Sequence, residues 1–172
     1  MEQLAASRGS RPTLADLRVR PFGPADADRL RRMSALLSRG SLYTRFFTGT
    51  PRIPEPYVSA LHGLDHWDRE ALVALLDGEL VGVAEYVRDR DRPCRAEVAA
   101  LVADPWQRHG LGGLLVACLV PLAQRRGITE FGAEVIYENR PALSAIRRYW
   151  PAVAPADADG AASFRLPLPI PG

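Results

Sequence analysis

A chain of 172 residues with a hydrophobic fraction of 47% and a formal net charge of +2 is long enough to bury a core and too weakly charged to make a nucleic-acid surface. All 22 of its lysine-plus-arginine positions are arginine, so the chain contains no lysine. Cys94 and Cys118 are too few for a disulfide framework, no apolar run reaches the ~18 residues of a membrane span, and the start MEQLAASRGSRP lacks the apolar stretch of a secretion signal.

A single domain, residues 14–168, behind a flexible tail, residues 1–13, in the cytoplasm, is therefore expected. Residues 16–20 alternate in polarity and predict a first strand. Pro24, Asp26 and Asp28 open a helix, because proline suits a first turn and carboxylates complement the helix dipole. Leu30, Met33, Leu36 and Leu37 form its apolar stripe, and Gly40 is predicted to end it. Leu42, Tyr43, Phe46 and Phe47 then suggest a short helix and loop. Tyr43, Phe46 and Phe47 are candidates to line a substrate cleft; the alternative for the two phenylalanines is core packing. Another short helix covers residues 54–64. Residues 71–76 and 80–87 read as a hairpin about Asp77-Gly78, and residues 88–93 as a solvated charged turn.

The most informative stretch is 94–127. An apolar strand, 94–103, carries one acid, Glu97. A loop, Gln107-Arg108-His109-Gly110-Leu111-Gly112-Gly113, leads into an apolar helix, 111–126, with Pro121 inside it. The first amides of a helix lack partners and sit at its positive end. Glycines let a ligand approach them closely, so the loop is a candidate anion site. No Gly-Lys-Ser/Thr follows, which excludes a P-loop. Leu115 stands where the dinucleotide fingerprint needs its third glycine. Cys94 and Cys118 lie in apolar segments and read as small hydrophobes. A strand at 129–137 follows, then Asn139 as an N-cap with Pro141 in the first turn. Residues 157–160 read as a turn, and Ala162, Phe164 and Leu166 as the buried face of a last strand.

Strand, Gln-x-x-Gly-x-Gly loop, helix and later Asn139, in that order, resemble the acetyl-CoA site of the GNAT superfamily of N-acetyltransferases. The resemblance covers about residues 15–167 and implies the fold class: α/β, an α+β mixed sheet of about six or seven strands with about four helices on both faces. It also implies a splay between the strands flanking the long helix, attributed to a β-bulge. The pantetheine arm enters there and pairs with the first of them. By the family pattern the cofactor-binding residues are Leu101, Val102, Ala103, Gln107, Arg108, His109, Gly110, Leu111, Gly112, Gly113 and Asn139. The amides of Leu101 and Ala103 would hold the thioester end and pantetheine, those of His109 to Gly113 the pyrophosphate, and Arg108 would add a charge-assisted bond. Asn139 would bond the arm, or act only as an N-cap.

An amine acceptor must lose a proton before attack, which calls for a general base. Glu97 is the candidate, with burial expected to raise its pKa; the alternative is an exposed Glu97 paired with Arg95 or another arginine. Glu85 and Glu134 are held in reserve. The chain departs from the family at Ile146, where many members carry the tyrosine that protonates the departing thiolate; Tyr149 lies three residues on. Trp150-Pro151 also replaces the usual Gly-Phe. Ser41-Leu42-Tyr43-x-Arg45-Phe46-Phe47 and Asn139-Arg140-Pro141-x-Leu143 are similar to the GNAT domain of bacterial protein-lysine acetyltransferases, including forms fused to other domains. The implied cosubstrate is acetyl-CoA, with no metal. The implied partners are a small-molecule amine or a protein lysine, with no nucleic acid or membrane, in a monomer or homodimer. Two other readings stay open: a non-catalytic acyl-CoA-binding module, and a different nucleotide-binding domain.

Overall fold

The computed structural model describes residues 10–172. Most of the expected tail, residues 1–9, lies outside the described residues, and residues 10–13 are exposed. Thr13 closes a capping box with Asp16 around a single 3-10 turn, Leu14–Asp16, so the first strand, β1, begins later than the alternation suggests, at Arg18–Pro21.

Helix α1, Asp26–Met33, buries Ala27, Leu30 and Met33. It does not run on to Gly40. A 3-10 turn, Ser34–Leu36, gives way to extended backbone at Leu37, and Ser38 starts a new helix, α2, Arg39–Phe46, by accepting from the Ser41 amide. Gly40 therefore lies inside α2. The reason is tertiary: Asp104 accepts from the Ser38 amide at 3.2 Å and the Ser41 hydroxyl at 2.7 Å, fixing the start of α2 against a distant turn. Helix α3, Glu55–His62, follows.

Strands β2, Arg69–Leu76, and β3, Glu79–Arg88, form the expected hairpin, with both Asp77 and Gly78 at positive φ. Strand β4, Arg95–Val102, leaves Cys94 outside it and exposed, not buried in an apolar segment. A 3-10 turn, Asp104–Trp106, leads to α4, Leu111–Arg125, which runs through Pro121. Then come β5, Glu130–Ile136, and α5, Arg140–Tyr149. Asp157 belongs to a short strand, β6, Ala156–Ala158, not to a turn; it pairs with β7, Ala161–Pro167, around Asp159-Gly160.

The seven strands form one sheet in the order β1-β2-β3-β4-β5-β7-β6. All neighbours are antiparallel except β4 and β5, joined by the α4 crossover. That parallel pairing covers only Arg95↔Glu130, Ala96↔Phe131 and Glu97↔Gly132. Beyond it the two strands part, β4 staying on β3 as far as Val102↔Gly82 and β5 on β7 as far as Ile136↔Ala161. The β3–β4 register is unbroken, so no bulge in that pairing causes the parting. Among the described residues no helix is long and apolar enough to cross a membrane.

Candidate active site

The parting of β4 from β5 opens a cleft of about 1220 Å³, bounded by the start of α4, by α5 and by α2. Its volume exceeds that of ordinary small-ligand pockets, which leaves room for a long ligand and a second molecule.

Strand periodicity decides which groups face the gap. The Ala103 amide donates to Val81 O at 2.9 Å, inside the sheet. Amides two residues apart point the same way, so Leu101 also addresses β3. The expectation that these two amides are free is corrected: Val98, Ala100 and Val102 turn their N–H and C=O groups to the open edge. The side chain of Gln107 confirms this, donating to Val102 O at 3.0 Å. It also donates to Ser41 Oγ at 2.9 Å. Gln107 thus ties the glycine loop to the end of β4 and to α2.

The loop presents the first turn of α4. Gly110 sits at φ 82, a conformation that costs a residue with a Cβ about 1–2 kcal/mol, and the Leu114 amide, donating to Gly110 O, begins the helical ladder. The preceding amides have no helical partner. Gly112 lies over Ala100 and Val102, with space for a Cβ at 3.5 Å from Val102. Arg108, Gly110, Leu111, Gly112 and Gly113 line the cleft, as do Leu101, Val102, Gln107 and Asn139. His109 and Ala103 do not; His109 is exposed and packs edge-on against Trp106. Asn139 accepts from the Ala142 amide at 3.3 Å, so it is an N-cap as well as part of the wall.

Opposite α4 the sheet presents another face. Because Val102 and Ala100 point to α4, Glu97, Ala99 and Leu101 point away from it. Glu97 lines the cleft, but its side chain is 56% exposed and bonds Arg95 Nη2 at 3.0 Å. The burial that was expected to perturb it is absent, because the β4–β5 pairing ends at this residue and the parting admits solvent. Arg95 and Glu97 fill the space over Gly132, where a Cβ would overlap both side chains. Glu134, exposed on β5, lines the cleft too. Glu85 lines it from β3 but is buried between Arg45 and Arg69.

Of the aromatic trio, only Phe47 lines the cleft. It takes a left-handed conformation at the end of α2 and is 51% exposed. Tyr43 is equally exposed but outside the wall, and Phe46 packs edge-on against Tyr57 at 5.1 Å. The helical spacing that groups these residues does not distinguish the face of α2 turned to the cleft from the face turned away. Ile146 is buried and lines the cleft. Tyr149 also reaches it, its ring lying against Gly113 so closely that a Cβ there would be 2.5 Å from Cε2. Arg45, Val98 and Ala100 are cleft residues that sequence reasoning missed. The strand edge is set by pairing, which no local pattern encodes; Arg45 was visible only as a letter in the Ser41–Phe47 run.

The profile of the Acetyltransferase (GNAT) family matches residues 40–149, more than half of the chain. Acetyltransferase Pat of Mycolicibacterium smegmatis is 29% identical over 123 residues, 70% of this chain and 37% of that protein. Acetyltransferase PA5475 of Pseudomonas aeruginosa is 29% identical over 116 residues, 65% of this chain and 62% of that protein. The chain thus spans roughly a third to three fifths of the curated relatives it matches. Among solved structures, the GNAT domain of S. lividans PAT matches with a TM-score of 0.80 at 30% identity, over 88% of this chain and 90% of that one.

Proposed function

The chain belongs to the acetyltransferase (GNAT) family, whose members use acetyl-CoA, and from that premise we propose that it transfers an acetyl group from acetyl-CoA to a primary amine, in particular a protein lysine, with Glu97 as general base. The observation that carries this reading is the unpaired edge of β4 running toward the free amides of α4. An arm bearing amides can pair with that edge as an added strand does, and a diphosphate suits a helix start. Arg108, on the cleft wall, adds a cation there.

Acetyl-CoA, when bound, supplies an activated acyl carbon and a thiolate leaving group. The chain's residues handle the protons. Glu97, wet and held by Arg95, accepts a proton from the acceptor ammonium, directly or through one water. The freed amine forms the new C–N bond as the C–S bond breaks, and the nitrogen then gives up its remaining extra proton to water. The thiolate takes its proton from water or from the Tyr149 hydroxyl, since Ile146 has none to give. The choice of a protein lysine rests on the likeness of Ser41–Phe47 and Asn139–Leu143 to domains acting on such lysines. Ile146 favours a second reading, an acyl-CoA-binding module without turnover.

CoA-thiol release measured with a panel of amines and lysine-bearing proteins tests both. Glu97→Gln is expected to lower kcat about 100-fold or more. An unchanged rate at every pH would remove Glu97 from the role. Tight CoA binding with no transfer to any acceptor would support the module instead.

A further inference from the structure

Beneath α2 lies an ion cluster that the transfer chemistry leaves unused. Glu85, in the middle of β3, has a side chain only 5% exposed and meets two guanidinium groups. Arg69 grips one carboxylate oxygen twice, Nε at 2.8 Å and Nη2 at 2.7 Å. Arg45 gives the other oxygen a single bond, Nη2 to Oε1 at 2.9 Å. Two cations share one anion, and the sharing is uneven: Arg69 is engaged by both nitrogens, while Arg45 is not. Among the described residues, Arg45 Nε is buried with no hydrogen-bond partner.

Arg45 is also held in a way that leaves it ready for a ligand. The Phe46 and Tyr57 rings each lie 4.9 Å from its guanidinium carbon, covering it with their π faces. Tyr57 supplies no counter-charge, because burial pushes its phenol well above the ordinary range. A side chain only 20% exposed with an incompletely matched charge favours an incoming anion. A guanidinium that gives its counter-ion only one bond suits a carboxylate. Arg45 lines the cleft, whereas Arg69 does not. Glu85 pairs with Ala99 and Val87 with Glu97, so Glu85 and Glu97 are diagonal neighbours on one face, about 7–8 Å apart along the sheet. An amine at Glu97 and an anion at Arg45 would then be separated by the length of a small molecule.

We propose that Arg45 forms a carboxylate subsite at the acceptor end of the cleft, so that the molecule turned over carries a carboxylate a few bonds from the reacting atoms, on the amine acceptor or on the acyl chain. This rests on acyl transfer from CoA to a primary amine and narrows it: an acetyl group moved to a protein lysine carries no such carboxylate, so the acceptor or the acyl chain differs from that pair. Were the cluster only a clasp holding α2 to the sheet, substitutions in it would weaken all ligands alike.

The test compares matched pairs. In one arm acetyl-CoA is offered with glycine, β-alanine or 4-aminobutyrate and with the corresponding carboxamides. In the other, succinyl-CoA and butyryl-CoA are offered with a neutral amine. A preference of about tenfold or more for the carboxylate, expressed in KM, is expected in one arm, and the arm that shows it identifies the source. Arg45→Gln should bring that ratio to about one, and Arg45→Lys should restore part of it. A ratio near one in both arms of the unaltered protein overturns the proposal, as does a ratio that survives Arg45→Gln. If no amine is turned over, the transfer reading has failed, and calorimetry then decides on the subsite by itself. N-acetyl-β-alanine, its carboxamide and succinate are titrated into the CoA-saturated protein; an Arg45-dependent preference for the carboxylates sustains the subsite, and equal binding removes it.

Discussion

The half of the cleft along α4 and the open edge of β4 is made of backbone: amides of a helix start, amides of an unpaired strand, and glycines that let both be reached. The half under α2 is made of side chains, with Glu97 held by Arg95 and Arg45 held by Glu85 and two rings. Backbone groups exist at every position, so the first half tolerates most substitutions that leave its curve and its space intact. The second half depends on which letter stands at each place. A family can therefore keep one coenzyme site while its acceptors diverge, and the division between the halves runs along β4 itself, whose two faces serve one each.

The sharpest way to break this contrast is Gly112→Asp. A side chain fits there at ordinary contact distance, so thermal stability should hold, while a carboxylate at the helix start should weaken CoA binding by about 100-fold, some 2.7 kcal/mol, by like-charge repulsion. Calorimetry that found the affinity intact would end the idea that backbone amides bind the diphosphate.

A smaller effect is expected outside the cleft, at a second ion cluster of two arginines and one carboxylate. Asp26 is fully buried and accepts from Arg20 twice, at 2.6 and 2.9 Å, from the Gly23 amide at 2.8 Å and from Arg29 at 3.0 Å. Every oxygen is matched, unlike the nitrogens of Arg45. Burial raises the Asp26 carboxyl pKa, but these bonds outweigh it and hold the group below its ordinary value of 3.8. A carboxylate depressed in the folded state stabilises above the unfolded pKa and ceases to do so as pH falls through the folded one. Asp26→Asn should therefore cost about 2 kcal/mol at pH 7, less than a fully dry pair because both arginines are partly exposed. Denaturant curves should show the gap closing below about pH 4, and a gap constant with pH would contradict the charge assignment.

The smallest effect belongs to the residue that links the halves. Gln107→Ala removes the bonds to Val102 O and Ser41 Oγ, at about 1 kcal/mol. Both the Kd for CoA and the KM for acceptor should rise, each by roughly fivefold or less. A change in CoA affinity alone would show that α2 is positioned without the loop.

What was legible in the sequence follows the same line. The Asp77-Gly78 hairpin, the glycine loop and the apolar α4 are local, each specified within a turn or a helix of its own residues. The order of elements around the crossover followed from them. The start of α2 was not legible, because Asp104 fixes it across 66 positions. Nor was the orientation of the β4 amides, which pairing with β3 decides. Glu97 was picked out as the lone acid of its strand, but its exposure depends on where β5 leaves β4. Arg45 meets Glu85 across 40 positions, and nothing local marks that meeting.

The three-pair seam between β4 and β5 has a mechanical consequence. It makes the sheet two panels, β1 to β4 and β5 with β7 and β6, hinged at one end. A molecule lying along the open edge and touching α4 and α5 bridges them like a splint. Saturation with it should then raise the melting temperature and slow amide exchange along the free stretch of β4 and the opposing stretch of β5 together, as one cooperative unit.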